Sequence, residues 1–375
     1  MRQAWLLALG TASALGLARF AYGLLLPAMR DDLHWTLAEG GTMSAANGLG
    51  YLVGALATPA VRRRLGTTAT FRAGMIVTAV ALALTPVGDD HLVLPAVRAL
   101  AGASGAAVFV TGGVIAARIA TRVSSGTPIA VYFAGTGLGI VFSGATIPVL
   151  GDRWHLAWAG LGVAAALAAA ASWSAARTDD DRDEPAAAGR APVRPLWRTA
   201  VSYLLFAAGY ITYITFLSAY LAGRGASVTQ VTFTWTVLGL AVMATPFLWS
   251  RPLTHWPGRR ALAALLAVLA CGAALPLLSP APPVILASAL VYGATFMGVP
   301  AAVTALIKAG TPPARWTGTL AAFTTLFAAG QTAGPWLAGL LADHTSAEAT
   351  LAWTAILCAA AALIATGGDR AATPR

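Results

Sequence analysis

Two arginines, Arg19 and Arg98, stand inside long apolar stretches of the sequence. An ionised side chain near the centre of a membrane-spanning helix costs roughly 2.5 to 3.5 kcal/mol on insertion scales, so each is a candidate for function. No Asp or Glu lies deep within an apolar stretch to neutralise them. Because a planar guanidinium fits carboxylate and phosphate oxygens, we predict a substrate anion as the partner of Arg19. For Arg98, hydrogen bonds to backbone carbonyls of a neighbouring helix are an equal alternative.

Neighbouring side chains offer Arg19 other partners. Tyr22 lies one helical turn later and is expected to orient Arg19 or to stack on it. The carboxylates of Asp31, Asp32 and Glu39 follow the same apolar stretch and would serve as counter-charges if they folded inward. That second arrangement would weaken the argument for an anionic substrate.

Tyrosines and isolated amides are the remaining binding candidates. Residues 203–220 carry an aromatic stripe at helical spacing. Phenol hydroxyls deep in a membrane need hydrogen-bond partners, so Tyr210 and Tyr213 are expected to face a wet cavity, with packing as the alternative. For the amides, hydrogen bonding between helices is the alternative to substrate contact. The predicted substrate-binding set is Arg19, Tyr22, Asn47, Arg98, Tyr132, Tyr210, Tyr213, Tyr292 and Gln331.

The sequence lacks the constellations that enzymes use. The histidines lie in predicted loops or at helix ends, and neither a GxxxxGKS/T nor an HExxH motif occurs. Cys271 and Cys358 both fall within apolar stretches, where they offer neither a disulfide framework nor a metal-ligand spacing. We therefore expect no enzymatic activity, no catalytic residue, no metal, no cofactor and no ATP-driven pumping by this chain.

The elements that must position these residues are membrane-spanning helices. Of the 375 residues, 58% are hydrophobic and only 10% are charged, far below the roughly 25% charged residues of soluble domains. A run of about 20 apolar residues is long enough to cross a bilayer. Twelve such runs are predicted at 4–29, 40–61, 68–88, 92–116, 127–150, 156–176, 199–222, 230–250, 261–279, 283–307, 317–341 and 350–366. The first run resembles a signal peptide, but it is too long for one, so we keep it as a span.

The basic residues are distributed unevenly between the two sides of these spans. Nineteen of the 24 Lys and Arg residues fall on one side, and only Arg30, Arg153 and Arg224 fall in loops on the other. Short loops rich in Lys and Arg stay in the cytoplasm, so both termini are predicted to be cytoplasmic. The formal net charge of +10 therefore reflects membrane topology, and no nucleic-acid partner is expected.

A single long polar segment divides the chain into two nearly equal parts. Residues 177–198 mix both charge signs with three prolines and are predicted to be a cytoplasmic linker between residues 1–176 and 199–375. Residues 132–152 and 323–343 have equal lengths, an aromatic start, a matching glycine and a terminal Asp. Structural repeats of this kind are typical of transporters, with chance similarity as the alternative.

Several short motifs resemble one transporter family. Gly54, Arg63 and Arg64 fall where the major facilitator superfamily has the glycine and basic pair of its loop between helices 2 and 3, but Thr58 replaces the usual aspartate. Residues 98–107, RALAGASGAA, resemble the helix 4 motif of the same superfamily. Residues 18–29, 45–54 and 210–217 are similar to its YbfB/YjiJ-type branch.

The resemblance implies an all-α integral membrane fold, with twelve transmembrane helices in two pseudo-symmetric six-helix bundles. It further implies that helices 1, 4, 7 and 10 line a central cavity and that the loop at 54–64 latches the cytoplasmic side, here without its usual carboxylate. Transport would proceed by alternating access around a site near the middle of the membrane.

We therefore expect a monomeric, multi-pass transporter of the bacterial inner membrane that acts on a small anionic or amphiphilic metabolite. A multidrug-type exporter of hydrophobic or cationic compounds, or a non-transporting receptor or scaffold, is the alternative. A coupling ion or counter-substrate is left open; the lack of an embedded carboxylate favours antiport or facilitated transport over proton coupling. Asp152 and Asp343 at the outer mouth are the residues that would titrate otherwise.

Overall fold

The computed structural model describes residues 1–88, 90, 92–177, 194–256 and 258–367, and within these ranges the chain is helical without strands. Most of the predicted linker, residues 178–193, lies outside the described residues. Twelve long helices follow one another. They are α1 (Arg2–Leu33), α2 (37–65), α3 (67–84), α4 (Val93–Arg122), α5 (Thr127–Leu150), α6 (Trp154–Ser172), α7 (Trp197–Ala222), α8 (Val228–Leu248), α9 (Arg260–Leu278), α10 (Pro282–Gly310), α11 (Trp316–His344) and α12 (Glu348–Thr366).

The continuous helical segment Leu37–Leu84 contains two spans. Its 48 residues would extend about 70 Å as one straight helix, more than twice the thickness of the hydrocarbon core of a bilayer. Gly66 breaks it with φ 81° and ψ 165°, a backbone conformation that a residue with a β-carbon rarely adopts. Dividing the segment at this glycine gives twelve long helices, the number that the sequence predicts. In the described part of the chain ten helical segments are long and apolar enough to cross a membrane, with Leu37–Val87 counted once and α11 not among them.

Small residues let the helices of the first half approach closely. A β-carbon on Gly50 would overlap the backbone carbonyl of Ala99, and one on Gly54 would overlap that of Ala103. From the other side, a β-carbon on Gly102 would overlap the carbonyl of Asn47. The hydrophobic effect does not drive helices together inside a bilayer, because lipid tails are as apolar as the side chains. Close backbone packing of this kind therefore holds α2 against α4, and it fixes the position of Arg98 on α4.

The chain has two distinct ends, which we name by their loops. The basic end carries the loops at 62–66, 122–127, 249–260 and 311–315, and the opposite end carries those at 34–36, 151–153, 223–227 and 345–347. Near the opposite end the two halves touch tightly: β-carbons on Gly23, Gly41 and Gly339 would overlap backbone of α7, α11 and α2 respectively. The halves are therefore closed against each other at the opposite end.

One span, α1, is not regular along its length. Residues Ala12–Phe20 form a π-helical segment, in which the amide of Ala21 bonds to the carbonyl of Gly16 at 3.0 Å. Gly16 packs directly on the backbone of Gly139 in α5. Long π-helical segments are rare and often occur at functional sites. Arg19 lies in the last turn of this segment.

Candidate functional site

A cavity of about 200 Å³ lies between the two halves, on the basic side of their closed contacts. Pro300, Thr304 and Thr324 line it toward the basic end, and Arg19 lies at its deeper limit. The remaining lining is largely aromatic. It consists of Leu15, Phe20, Tyr51, Phe109, Tyr203, Phe206, Tyr210, Phe296, Met297 and Phe327.

Arg19 is the charged group of this cavity and is only 7% exposed. Its Nη2 donates a hydrogen bond to Oε1 of Gln331 on α11, and its Cζ lies 5.4 Å from the centre of the Tyr51 ring. Its Nε is buried without a hydrogen-bond partner. Within the described residues no carboxylate pairs with this guanidinium, so a neutral amide is the strongest acceptor that it meets.

Gln331 connects Arg19 to two other helices. Its Oε1 also accepts a hydrogen bond from the hydroxyl of Tyr210 at 3.3 Å, and its Nε2 donates to the carbonyl of Gly48 at 3.4 Å. Arg19 and Gly48 belong to the first half, whereas Tyr210 and Gln331 belong to the second. The structure thus brings three of the predicted binding residues together at the junction of the halves.

Five aromatic rings form one wall of the cavity, which we call the aromatic wall. Its members Tyr203, Phe206 and Tyr210 lie on α7, Phe296 on α10 and Phe327 on α11. The rings of α7 stack nearly parallel to one another and to the ring of Phe327. The ring centroids of Phe206 and Tyr210 are 4.8 Å apart with an interplanar angle of 15°, and those of Tyr203 and Phe327 are 5.0 Å apart with an angle of 23°. The wall ends beside Arg19, because Tyr210 shares its acceptor on Gln331.

Arg98 does not line the cavity. It is 1% exposed, its Nη2 donates to the carbonyl of Ala18 at 2.6 Å, and its Cζ lies 4.8 Å from the Trp158 ring. Asn47 in turn donates to the carbonyl of Arg98 at 3.1 Å. The hydrogen bond to Ala18 is of the kind that the backbone alternative for Arg98 requires, and it ties α4 to α1 one residue from Arg19, while Nε and Nη1 of Arg98 are buried without a partner.

The expected pairing of Tyr22 with Arg19 is wrong. The Tyr22 ring lies 5.4 Å from Cζ of Arg98, and its hydroxyl donates to the carbonyl of Gly40 at 2.7 Å. In a helix containing a π-helical segment, residues three apart no longer share a face as in an α-helix. The alternative in which these carboxylates fold inward toward Arg19 is also wrong for Asp32 and Glu39. Asp32 accepts a hydrogen bond from the indole of Trp154, and Glu39 caps the start of α2.

Three predicted tyrosines are packed between helices and do not border the cavity. The Tyr213 hydroxyl bonds Oγ of Ser288 at 2.7 Å, and its ring stacks 3.9 Å from that of Tyr292. Tyr292 donates to the carbonyl of Tyr210. Tyr132 donates to the carbonyls of Val108 and Phe109 at 3.0 and 3.1 Å. The hydroxyls of all three tyrosines are hydrogen-bonded to other groups of the protein. These residues therefore need no cavity to satisfy them, as packing between helices requires.

Sequence reasoning missed most of the aromatic lining. Tyr51 and Phe109 are the single aromatic residues of α2 and α4. Phe296 on α10 and Phe327 on α11 each follow another aromatic by four residues, but no pattern relates the four helices to one another. Their only signal was an aromatic residue near the middle of a predicted span, which many lipid-facing positions share.

The segment at 54–64, which was expected to latch the cytoplasmic side, makes no charged contact through Arg63 or Arg64 within the described residues. Thr58, 2% exposed, donates to the carbonyl of Gly54 in its own helix at 2.7 Å. Arg63 and Arg64 are exposed, and no ion pair or side-chain hydrogen bond involves them there. The hydroxyl that replaces the usual aspartate therefore serves its own helix.

Comparison with known proteins identifies a family and a set of similar folds. The family described as "Uncharacterised MFS-type transporter YbfB" matches residues 11–368. No curated protein matches the chain. Solved structures of the nucleoside transporter NupG are similar at 12% identity: a point mutant has a TM-score of 0.75 over 96% of this chain and 97% of its own. A bacterial homologue of the human lysosomal transporter Spinster, in an inward-facing and unoccupied conformation, has a TM-score of 0.69 at 14% identity, covering 97% and 94%.

Proposed function

Because this chain belongs to the YbfB family of the major facilitator superfamily, and is thus a multi-pass membrane transporter, we propose that it carries a small organic anion by alternating access. Similarity to the solved structures is at 12 to 14% identity and concerns the fold, so the proposed substrate class rests on the cavity of this chain. Arg19 and its surroundings carry that proposal.

The supporting observation is the unpaired charge of Arg19. The guanidinium is held at the end of an aromatic cavity by a neutral amide, with a buried Nε that has no partner. The bond from Arg19 to Gln331 has a charged donor and a neutral acceptor, whereas an anion would supply a charged acceptor and a second oxygen for bidentate pairing. An anion entering the cavity would therefore displace Gln331 with a net gain. An amphiphilic anion would add contact with the aromatic wall.

The charge also argues against the multidrug alternative. Aromatic rings attract organic cations through their faces, and eight aromatic residues line this cavity. The fixed positive charge of Arg19 lies beside them, and no carboxylate within the described residues offsets it. A cation in the same space would be repelled by Arg19, with no carboxylate there to balance that repulsion.

The arrangement of the halves supports a transport cycle. By the positive-inside rule we assign the basic end to the cytoplasm of a bacterial inner membrane, which makes the conformation described here inward-facing. Residues 1–176 and 199–375 would rock about the cavity, connected by 177–198. Because Arg19 and Gln331 belong to different halves, an anion that replaces their hydrogen bond changes a contact between the halves. Antiport or facilitated transport is the proposed coupling, and a monomer suffices.

The test is flux into proteoliposomes with a panel of organic anions and cations, found first by thermal shift. Arg19→Gln should weaken affinity for the best anion about 10- to 100-fold, the equivalent of one hydrogen bond to a charged group. Arg72→Gln is the matched control, since Arg72 stacks on Trp173 outside the cavity. Unchanged affinity in Arg19→Gln, or an organic cation as the best substrate, would show that the proposal is wrong.

A further inference from the structure

We infer that the anion is an aromatic carboxylate, a flat ring bearing one acidic group, a step that rests on the proposed function. The observation that carries it is the shared orientation of the aromatic wall beside the single guanidinium. All stacked pairs among Tyr203, Phe206, Tyr210, Phe296 and Phe327 lie within 30° of parallel.

A flat ring is the group that such a wall recognises. Aromatic pairs prefer offset stacks with centroids 4.5 to 7 Å apart, and the pairs of the wall already lie between 4.8 and 6.3 Å. A ligand ring entering in the same orientation continues this stacking. A puckered or branched aliphatic group presents no flat face and gains area burial alone.

The wall and the charge are adjacent, so one small molecule meets both. Tyr210 belongs to the wall, and its hydroxyl shares Oε1 of Gln331 with Arg19. A carboxylate placed where that oxygen lies accepts from Arg19 and from Tyr210 together. Its ring then extends toward Phe206 and Phe327, the neighbours of Tyr210 in the wall.

Unused donors support the same assignment. Nε of Arg19 is buried without a partner, and this side chain is more than nine-tenths buried. Within the described residues, the hydroxyls of Tyr51 and Tyr203 make no hydrogen bond, and both residues line the cavity. A second polar substituent on the ring, such as a hydroxyl, would meet one of them.

The size of the cavity limits the ligand to one or two rings. Its volume is about 200 Å³, below the roughly 300 to 1,000 Å³ of sites for drug-sized ligands. A neutral nucleoside would contact the wall but leave Arg19 without an anion. An aliphatic acid would pair with Arg19 but leave the wall without a ring.

The experiment compares ligands matched in charge and differing in flatness. Binding to the purified full-length protein is measured calorimetrically for benzoate and indole-3-carboxylate, with cyclohexanecarboxylate and hexanoate as aliphatic controls. Phenyltrimethylammonium and uridine are the cationic and neutral aromatic probes. We expect an aromatic acid to bind about tenfold more tightly than cyclohexanecarboxylate, as two aromatic contacts would give.

Two variants assign that preference to the wall. Phe327→Leu should reduce the aromatic-over-aliphatic ratio to about threefold or less, since it removes one ring while Arg19 remains. Phe247→Leu, on the lipid-facing side of α8 with 59% exposure, should keep the wild-type ratio. Melting temperatures of both variants establish that the protein is folded, so a lost ratio cannot be attributed to unfolding.

The outcomes separate this inference from the proposed function. Equal affinity for benzoate, indole-3-carboxylate and their aliphatic controls would overturn the aromatic assignment while leaving organic-anion transport intact. Preference for phenyltrimethylammonium or uridine, or no binding of any carboxylate, would overturn both. A retained ratio in Phe327→Leu would place the aromatic preference outside the aromatic wall.

Discussion

Asp343 joins the two halves at the closed end of the cavity, and its replacement should shift the conformational equilibrium. Its two carboxylate oxygens accept hydrogen bonds from the backbone amides of Leu37 and Ala38, at 2.8 and 2.9 Å. Asp343 is the penultimate residue of α11 in the second half, whereas these amides begin α2 in the first half. The contact exists only while the opposite end is closed.

The magnitude follows from the geometry of a helix start. Losing a capping oxygen costs about 0.5 to 2 kcal/mol, and a negative charge at a helix N-terminus contributes about 0.3 to 1 kcal/mol. Asp343→Asn keeps one oxygen acceptor but loses the charge and the second acceptor. Because this side chain is exposed, solvent screens part of the charge, and we expect about 1 kcal/mol in total. That corresponds to about a fivefold rise in the population that is open at the opposite end.

Pulsed electron spin resonance measures this shift directly. Nitroxides at Asp31→Cys and Val228→Cys, one on each half at the opposite end, report its opening in a background lacking Cys271 and Cys358. Asp152→Asn is the matched control. Asp152 aligns with Asp343 in the sequence repeat and follows the end of α5, and within the described residues its side chain makes no hydrogen bond. Identical distance distributions for Asp343→Asn and Asp152→Asn would refute the reasoning.

Substitutions at three further positions test the packing at Gly50, the second arginine and Thr58. Gly50→Ala should lower the melting temperature in detergent, because the new β-carbon would overlap the backbone of Ala99; the expected loss of folding free energy is about 1 to 3 kcal/mol. Gly160→Ala is the control, since its β-carbon meets no atom within 4 Å and the change should be neutral or stabilising. Arg98→Met should lower stability by about 1.5 kcal/mol or more through loss of the charged hydrogen bond to α1, with a smaller effect on anion affinity than Arg19→Gln; the reverse order would contradict its placement outside the cavity. Thr58→Val should retain transport and melting temperature, whereas Thr58→Asp should lower the melting temperature because a carboxylate would be buried there without a partner.

The sequence identified the class of the protein and its twelve spans. Hydropathy and composition are properties of the chain, and a bilayer requires apolar segments of a fixed length wherever they occur. The break between α2 and α3 at Gly66 lies in the gap between the spans predicted at 40–61 and 68–88. The interior arginine Arg19 was identified for the same reason, because a charge in such a segment stands out without any structure.

The partners of these residues could not be read from the sequence. Tyr22 was assigned to Arg19 by α-helical spacing, and the π-helical segment at Ala12–Phe20 turned it toward Arg98 instead. Helical periodicity specifies a face only while the number of residues per turn is constant. The deviation occurs in the turn that carries the site.

What only the tertiary structure decided is which isolated polar and aromatic residues meet. Gln331, Tyr210 and Arg19 are up to 312 residues apart and come together across two halves. The aromatic wall takes its rings from three helices whose relative rotation no local pattern records. The length and apolarity that a bilayer requires are properties of each segment, so they can be read from the sequence. A binding cavity is formed by side chains of several helices and exists only once those helices are packed.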